Sequence, residues 1–307
     1  MTFPLIPPPA APQRRRDVRV SLVQAAFEVA TQTHDPRDRN LAHAITAIRA
    51  AARSGAELVV IGELFLQGPG SSRWAAYYST RLDGTDPHVH ELEKLAAELN
   101  VTVLIGCTSY GPALDVHNTA LVISPGAGLC GTYHKAHLAS FPYRHGLSAE
   151  QSYYAPGADL TPIAAPIGRL GVHICYDIFF PEAARTQALL GADLLINLAA
   201  AGEGFEAYWD HLTWARATEN GMWYLMSSVV GDSPERGYFG GSRIIAPDGT
   251  TTARAKDTVE DIVTATIDLD AAQQMRSQLH MFSVRQPRLY LPISRARRGG
   301  HTPGRQP

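Results

Sequence analysis

Three reactive side chains of this sequence stand at the ends of apolar stretches. Glu63 follows LVVIG, Lys135 lies within GTYHKAHL, and Cys175 ends the run VHIC. In α/β proteins, functional side chains collect at strand ends, where the rigid sheet aims them into a crevice. A carboxylate can accept a thiol proton, and a nearby ammonium can stabilise both the thiolate and the oxyanion formed when sulfur attacks a carbonyl. The three residue types together therefore predict nucleophilic chemistry at a carbonyl group.

Cys175 carries most of this hypothesis. It lies where a buried strand is predicted to end and a helix, opened by Pro181 and Glu182, to begin. The free backbone N–H groups of such a turn and the nearby helix N-terminus would favour the thiolate. A single cysteine is a weak signal, because most intracellular cysteines are buried and inert. The prediction therefore depends on Glu63 and Lys135 as well, either of which alone would be interpreted as a solvated loop residue.

Strands and helices alternate along most of the chain, which predicts a layered α/β architecture. Asp86 is the expected N-cap of one helix, and Gly55 closes another. Short turns join several neighbouring strands, so the sheets should be mixed. Strands are predicted at 18–24, 57–61, 101–107, 118–124, 163–176 in two pieces, 193–198, 223–229, 242–246 and 261–267, and helices at 39–53, 87–99, 182–190, 205–220 and 270–279.

Composition excludes several classes of function. The chain has 307 residues and a formal net charge of -2, which gives no support for nucleic-acid binding. No run of about 18 apolar residues is present, so we expect no membrane partner. Three cysteines argue against a disulfide framework and favour a cytoplasmic protein. Residues 1–16 are interpreted as a disordered leader, 17–290 as one domain and 291–307 as a loose tail.

The three motifs resemble the Glu-Lys-Cys triad of the nitrilase, or carbon–nitrogen hydrolase, superfamily. Glu63 in IGEL, Lys135 in YHKAHL and Cys175 in CYD, three residues before PE, match the family in order and rough spacing. Glu150 stands six residues before Pro156, where many members carry a second active-site glutamate. Three further segments, which extend the resemblance to about residues 17–290, are similar to family motifs: YAPG at 154–157, ARATEN at 215–220 and GSRIIAPDG at 241–249.

This resemblance implies a four-layer α-β-β-α sandwich with two mixed sheets and cysteine hydrolase activity on non-peptide C–N bonds. Glu63 would be the general base, Cys175 the nucleophile and Lys135 the oxyanion stabiliser. Glu150 would hold Lys135 and help to position substrate or water, and the Tyr176 backbone N–H would be a second oxyanion donor. A thioester would form with loss of ammonia or an amine, and water would release the acid. The resemblance implies no cofactor and no metal.

The residues after the cysteine bear on the substrate. Nitrilases proper usually have Trp-Glu there, whereas this chain has Tyr176-Asp177, which favours a small amide or N-carbamoyl amine over a nitrile. Branches that bind a substrate carboxylate often place an arginine a few residues later, where this chain has Ile-Phe-Phe. A buried carboxylate needs a paired cation, so such substrates are less favoured unless Arg144 or Arg236 supplies one.

Aromatic residues near the motifs suggest an apolar or aromatic pocket wall, with Tyr176 as a further candidate substrate contact. Phe179 and Tyr143 are the main candidates for this wall, together with Phe180 and Tyr153. Packing in the protein core is an equally good interpretation for each of them taken singly.

Three histidines lie close to the motifs in sequence. His134 and His137 flank Lys135, and His173 precedes Cys175 by two residues. A zinc site from His134, His137 and Cys175 is conceivable, but the spacing lacks a second Cys pair or an HExxH helix. We therefore interpret His134 and His137 as loop residues near the pocket, and His173 as a hydrogen-bonded strand residue.

Two alternatives to an amidase remain at this stage. One is a nitrilase acting directly on nitriles, and the other is a catalytically idle relative that serves as a binding or scaffolding module. We also expect a homodimer or higher homo-oligomer, because apolar side chains in 207–220 and 282–291 exceed what a surface segment requires. These side chains are Trp209, Trp214, Phe282 and Leu289.

Overall fold

The computed structural model describes residues 16–294, apart from 71, 141, 144, 145 and 148. Most of the predicted leader, the chain after 294 and Arg144 therefore lie outside the described residues. The helices are α1 (Arg37–Arg53), α2 (Ser72–Tyr77), α3 (Pro87–Leu99), α4 (Pro181–Leu189), α5 (Glu206–Thr218) and α6 (Leu269–Leu279), with 3₁₀ segments at Glu150–Ser152, Cys175–Phe179 and Pro287–Ser294. The strands are β1 (Asp17–Gln24), β2 (Leu58–Ile61), β3 (Thr102–Tyr110), β4 (Val116–Ser124), β5 (Gly128–His134), β6 (Pro142–Tyr143), β7 (Gly146–Leu147), β8 (Ile163–Ala165), β9 (Gly168–Ile174), β10 (Leu194–Ala199), β11 (Tyr224–Ser228), β12 (Val230–Asp232), β13 (Gly237–Phe239), β14 (Arg243–Ile245), β15 (Thr251–Arg254) and β16 (Asp261–Asp268).

Two mixed sheets dominate the described part of the chain. The first has the strand order β16-β1-β2-β3-β4-β5, and the second has the order β15-β14-β11-β10-β9-β8. Strands β1, β2 and β3 run parallel in the first sheet, as do β9, β10 and β11 in the second, while the outer strands pair antiparallel. Helices α1, α3, α4 and α5 make the crossovers that parallel neighbours need. The predicted mixed sheets are confirmed.

Alternation along the central strands shows how the layers stack. In β2, Leu58 and Val60 pack between the two sheets, whereas Val59 and Ile61 face helices α1 and α3. Residues two apart in a strand share a face, so a strand covered on both faces is apolar throughout. In β10, the same alternation places Ile196 between the sheets, while the neighbouring Leu195 faces the opposite layer. The predicted four-layer α-β-β-α sandwich is confirmed.

The strand directions bring the three predicted motifs to one edge. Strand β5 is antiparallel to β4, which is antiparallel to β3, so β5 ends on the same side as the parallel strands. The Glu63 N–H, just after β2, donates to the Ala199 carbonyl at the end of β10 at 3.3 Å. Strand β9 runs parallel to β10 and ends beside it, immediately before Cys175. Glu63, Lys135 and Cys175 therefore meet at one edge of the sandwich.

One predicted strand end needs correction. The strand predicted to reach 176 ends at Ile174, because Cys175 has a φ of 44° and opens a 3₁₀ turn. The tail boundary predicted at 291 falls inside the 3₁₀ segment Pro287–Ser294. The Asp86 cap is confirmed, since its side chain accepts from the backbone N–H groups of His88 and Val89. Among the helices of the described part, none combines the length and the apolar character needed to cross a membrane.

Candidate active site

The four predicted catalytic side chains line one cavity. The cavity has a volume of about 300 Å³ and opens at the shared edge of the two sheets. Glu63, Lys135, Glu150 and Cys175 all contribute to its wall. Aromatic and charged side chains form much of the rest of the wall: Arg73, Trp74, Tyr153, Tyr176, Phe179, Phe205, Trp209, Glu235, Arg236 and Tyr238.

Lys135 lies at the floor of this cavity, with 1% of its surface exposed. It follows β5 directly, and the Gly157 N–H donates to its carbonyl at 2.8 Å. Gly157 has to be glycine, because a Cβ there would lie 2.1 Å from the His134 carbonyl oxygen. Lys135 Nζ donates at 2.8 Å to Oε1 of Glu63 and at 2.8 Å to Oε1 of Glu150. Burial alone would lower the pKa of Lys135, but the carboxylates of Glu150 and Glu63 outweigh it and raise that pKa well above its usual value.

Glu63 is held by donors on both carboxylate oxygens. Asn118 Nδ2 joins Lys135 on Oε1 at 2.8 Å, and the Ala200 N–H donates to Oε2 at 3.0 Å. The backbone that carries Glu63 is tightly packed, since a Cβ on Gly106 would lie 2.4 Å from the Gly62 carbonyl oxygen. The carboxylate is thereby fixed in one orientation, with Oε2 on the side of the β10 end.

Glu150 holds the opposite side of the ammonium. Its Oε2 accepts from the Ala139 N–H at 2.6 Å, and its own N–H donates to the Ala139 carbonyl at 3.1 Å. Burial raises the pKa of Glu150 and the nearby Glu63 raises it further, against the opposing effect of Lys135. Two carboxylates that share one buried ammonium therefore compete for it.

Cys175 occupies a backbone conformation that L-residues adopt rarely, with a φ of 44°. Asn197 holds it there, because its Oδ1 accepts from the Cys175 N–H at 3.2 Å and its Nδ2 donates to the Cys175 carbonyl at 3.4 Å. The thiol points towards the Ala200 carbonyl, 4.0 Å from Sγ. Ala200 therefore contacts both the sulfur and, through its N–H, the Glu63 carboxylate.

In the folded site, burial outweighs the groups that were expected to favour the Cys175 thiolate. Burial and the Glu63 carboxylate raise the pKa of the Cys175 thiol well above its usual value, and Lys135 opposes them only in part. Helix α4 begins at Pro181, beyond the 3₁₀ turn that Cys175 opens. The dipole of a helix acts mainly within its first turn. The Cys175 side chain is consequently a neutral thiol near neutral pH, which would have to lose its proton to act as a nucleophile.

The cavity wall is more aromatic than the sequence indicated. Tyr176, Phe179 and Tyr153 line it, whereas Phe180 lines a neighbouring cavity. Tyr143 lies in β6, and its contact with substrate stays a prediction. Aromatic residues that the sequence analysis did not assign to the wall complete it: Trp74, Phe205, Trp209 and Tyr238.

The prediction that Trp209 forms an oligomer contact is wrong, because the side chain is buried. Only 3% of its surface is exposed, because α5 turns this side chain inward, where it reaches the cavity. Trp214, on the same helix, is 53% exposed. Helical spacing predicted two apolar positions but could not tell which of them faces inward.

Charged side chains also lie on the wall. Arg73 and Arg236 line the cavity together with Glu235. Arg236 was a predicted candidate cation, whereas Arg73 was not predicted and lies in the unpredicted helix α2. The cavity can therefore present positive charge to a substrate although the stretch after Cys175 contains no arginine.

His134 and His137 each contact a different polar side chain. His134 Nδ1 is 2.9 Å from Thr119 Oγ1, and the His134 ring stacks on His117. His137 Nδ1 lies 2.8 Å from Asp177 Oδ1. Within the described residues, no cluster of three or more His, Cys, Asp or Glu side chains has an arrangement that could hold a metal ion.

His173 is a buried strand residue, with only 1% of its surface exposed. A hydrogen bond with the backbone of Ala183 opposes part of the effect of burial on its pKa. Burial lowers the pKa of His173 to about 4, so the ring is neutral. It stacks on Tyr224 in the layer beneath the second sheet.

Comparison with known proteins gives a consistent result. The family profile described as carbon-nitrogen hydrolase matches residues 19–277. The chain is 28% identical to an N-carbamoylputrescine amidase of Arabidopsis thaliana, over 90% of this chain and 95% of that protein. It is 30% identical to a deaminated glutathione amidase of Bos taurus, over 91% of this chain and 88% of that protein.

A solved structure is similar in fold. Nit3 of Saccharomyces cerevisiae, described as a member of branch 10 of the nitrilase superfamily, superposes with a TM-score of 0.77 at 25% identity. The match covers 89% of this chain and 97% of that one.

Proposed function

Because the chain belongs to the carbon–nitrogen hydrolase family, we propose that the cavity around Cys175 is the active site of an amidase that works through a thioester. One observation carries the assignment of the site. The buried Lys135 ammonium donates to Glu63 and to Glu150 at 2.8 Å each, in the same cavity as the Cys175 thiol. A structural ion pair alone would not need to face an open cavity beside a nucleophile.

Attack begins with the transfer of a proton from sulfur. Cys175 is a neutral thiol in the free site, so Glu63 accepts the proton while Sγ bonds to the amide carbon. The Ala200 N–H donates a hydrogen bond to Oε2 of Glu63, and the Ala200 carbonyl contacts Sγ of Cys175. The carboxylate and the thiol therefore both lie next to Ala200. The developing thiolate is stabilised by the Lys135 charge, which lowers the pKa of the Cys175 thiol against the larger effect of burial.

Lys135 then stabilises the oxyanion. An ammonium has three N–H donors, of which Glu63 and Glu150 take two, so the third can serve the substrate oxygen. Its raised pKa keeps the group charged throughout the cycle. The Tyr176 backbone N–H, next to the nucleophile, is the proposed second donor.

The remaining steps release the two products and restore the protonation states of Glu63 and Cys175. Glu63 delivers the thiol proton to the leaving nitrogen, the C–N bond breaks, and ammonia or an amine departs from the thioester. Water then attacks the thioester carbon, Glu63 takes a proton from that water, and Sγ regains a proton as the acid leaves. Glu150 holds Lys135 in place during both halves and lies on the wall where water or substrate binds.

The wall suits a small amide or N-carbamoyl amine whose far end meets aromatic rings. Tyr176 and Phe179 would contact this part of the substrate. Arg73 and Arg236 supply the positive charge that the stretch after Cys175 lacks, so an amide with a distant carboxylate fits as well. The names of the two similar amidases are consistent with an N-carbamoyl amine and with an amide, respectively.

The experiment is a panel of primary amides, N-carbamoyl amines and nitriles, each with and without a distant carboxylate, assayed for release of ammonia. The proposal predicts that amides or N-carbamoyl amines are hydrolysed and that nitriles are left unchanged. Cys175→Ala should abolish release, with Cys130→Ala as the matched control because Cys130 lies outside the cavity wall. Turnover of nitriles alone, or undiminished release by Cys175→Ala, would overturn the proposal.

We also propose that the enzyme self-associates through the 3₁₀ segment Pro287–Ser294. None of the side chains in that segment is buried, and Leu289 and Ile293 are 73% and 62% exposed. Apolar side chains exposed in a row are typical of a contact surface. Light scattering should give more than one chain per particle, and Leu289→Asp should reduce that number.

A cytoplasmic location is part of the same proposal. Cys107, Cys130 and Cys175 are all free thiols, as expected for a protein kept in a reducing compartment. Fractionation of cells that produce the protein would test this, and recovery outside the cytoplasm would contradict it.

A further inference from the structure

The carboxylate of Asp177 lies outside the cavity but binds the segments that carry the nucleophile and the lysine. It is 1% exposed and accepts hydrogen bonds on both oxygens. Oδ2 accepts from the Ile174 N–H at 2.9 Å and from the Tyr133 hydroxyl at 2.8 Å. Oδ1 accepts from the His137 N–H at 2.9 Å and contacts His137 Nδ1 at 2.8 Å.

The hydrogen-bond partners of the Asp177 carboxylate lie within two residues of Lys135 or Cys175 in the sequence. Tyr133 and His137 lie two residues before and two residues after Lys135, and Ile174 directly precedes Cys175. Tyr133 belongs to β5 of the first sheet, whereas Ile174 ends β9 of the second. Asp177 is therefore a cross-link between the sheet that carries the lysine and the sheet that carries the nucleophile.

His137 strengthens this cross-link through a second contact. Its ring is stacked on Phe180, with centroids 3.7 Å apart and an angle of 8° between the planes. Phe180 directly follows the 3₁₀ turn that Cys175 opens, and its N–H donates to the Asp177 carbonyl at 3.0 Å. His137 thus touches the turn at Asp177 and again at its end, which fixes the turn relative to the Lys135 segment.

The same contacts keep the Asp177 carboxylate ionised. Burial would raise the pKa of Asp177, but the hydrogen bond from His137 and the other donors lower it overall. An ionised carboxylate forms stronger hydrogen bonds than a neutral amide would. Neither Asp177 nor His137 is among the described residues that line the cavity.

We propose that Asp177 and His137 are positioning residues that set the distance between the Lys135 ammonium and the Cys175 sulfur. The proposal depends on the catalytic roles given above for Lys135 and Cys175. Oxyanion stabilisation requires the donor to be placed correctly relative to the attacking atom, and a displacement of about 1 Å can cost roughly 100-fold in rate. Loss of the cross-link should therefore lower kcat, while substrate binding changes much less because the wall residues Trp74, Phe205 and Trp209 lie outside the turn.

Three variants test this inference. His137→Leu removes the donor to Asp177, whereas His137→Asn places an amide nitrogen near the position of Nδ1 and can restore it. Asp177→Asn keeps the shape but replaces one acceptor oxygen by a donor, which faces other donors. We expect His137→Leu and Asp177→Asn to lower kcat about 10- to 100-fold with KM within about twofold, and His137→Asn to recover most of the loss.

The control is a second histidine–aspartate pair that lies away from the cavity. His88 Nδ1 is 3.1 Å from Asp86 Oδ1, and His88 is 7% exposed. His88→Leu should lower the thermal midpoint while kcat stays unchanged. Values of kcat are taken per folded chain, with the folded fraction measured by circular dichroism at the assay temperature, so that a smaller folded fraction is not counted as slower chemistry.

The outcomes separate this inference from the proposed function. Undiminished turnover by Cys175→Ala would refute the proposed function itself. If Cys175→Ala is inactive while His137→Leu keeps kcat within about twofold of the wild type, only the positioning role is refuted. The same refutation follows if His137→Asn is as slow as His137→Leu, because a restored donor would then have no effect.

Discussion

Lys135 Nζ lies 2.8 Å from Oε1 of Glu63, and the two residues are 1% and 3% exposed. A pair buried to this extent is costly to desolvate, so stability alone gives a weak reason for it. Glu150 adds a second carboxylate to the same ammonium, which leaves the three groups with a formal charge of -1 when both carboxylates are ionised. In the proposed mechanism this arrangement gives the site a carboxylate that can take a proton while the ammonium stays charged.

Glu63→Gln should retain the fold and lose most of the activity. The amide can still occupy the site between Lys135 and the Ala200 N–H, but it cannot accept the thiol proton. Removal of a general base typically costs about 10²- to 10⁴-fold in kcat. Steady-state kinetics checks this, with Glu91→Gln as the control because that carboxylate is exposed on α3. Activity within tenfold of the wild type would exclude Glu63 as the base.

Lys135→Met should affect both activity and stability. Loss of an oxyanion donor costs about 3 kcal/mol in comparable acyl-transfer enzymes, or about 10²- to 10³-fold in kcat. Removal of the ammonium also leaves Glu63 and Glu150 buried without their cation, which should cost about 3–5 kcal/mol in the free energy of unfolding. Urea unfolding and kinetics measure the two effects, and Lys94→Met, on the exposed face of α3, serves as the control. An unchanged urea midpoint would show that the ion pairs have no role in stability.

The reactivity of Cys175 should keep rising with pH beyond the ordinary cysteine range. Iodoacetamide reacts with the thiolate, and below the thiol pKa the thiolate fraction rises about tenfold per pH unit. Because burial and Glu63 raise the pKa of Cys175 well above 9.0, the rate should show no plateau up to that pH. The measurement is the rate of labelling at Cys175, followed by peptide mapping. A plateau near neutral pH would mean that the thiol is activated in the free enzyme.

The same shift predicts how Cys175 affects stability. A group whose pKa is raised by folding contributes stability below its unfolded value, and this contribution is lost as the pH rises towards the folded value. For Cys175 the loss begins near the ordinary value of 9.0. The wild type should therefore lose more stability than Cys175→Ala between neutral pH and the alkaline range, which thermal unfolding at several pH values would measure. Parallel curves for the two proteins would contradict the raised pKa.

Asn197→Ala should slow catalysis by releasing the backbone of Cys175, the proposed nucleophile. The variant leaves the Cys175 N–H and carbonyl without their partner, which should cost about 1–3 kcal/mol of stability. Asn40→Ala is the matched control, because Asn40 is also buried and bonds backbone groups of Glu28 and Leu66 away from the cavity wall. Both variants should be destabilised, but only Asn197→Ala should lower kcat. An equal kcat for the two would limit Asn197 to a structural role.

Much of the fold and the main candidates for the site could be predicted because they follow from local pattern. Val59 and Val60 mark a strand that is covered on both faces, and the polar residue after such a strand lies at a sheet edge. Glu63, Lys135 and Cys175 were found by this rule together with the family resemblance.

The partners of those residues could not be predicted in this way. Asn118 and Ala200 hydrogen-bond to Glu63 across sequence separations of 55 and 137 residues. The strand order of the first sheet brings Asn118 to Glu63, and the packing of the two sheets brings Ala200 there. The neutral state of the Cys175 thiol also depends on three-dimensional burial, whereas the sequence indicated only a nearby helix start. The surroundings of His173 depend on three-dimensional packing in the same way, since Tyr224 of the second sheet stacks on its ring.

The most direct test of the proposed mechanism is the mass of the enzyme during turnover. An amide substrate is mixed with the protein, the reaction is stopped with acid within one turnover, and intact mass and peptide mapping locate any added group. The mechanism predicts an increase equal to the acyl group on the Cys175 peptide of the wild type and no increase in Cys175→Ala. An acyl group on another residue, or hydrolysis by Cys175→Ala at the wild-type rate, would contradict it.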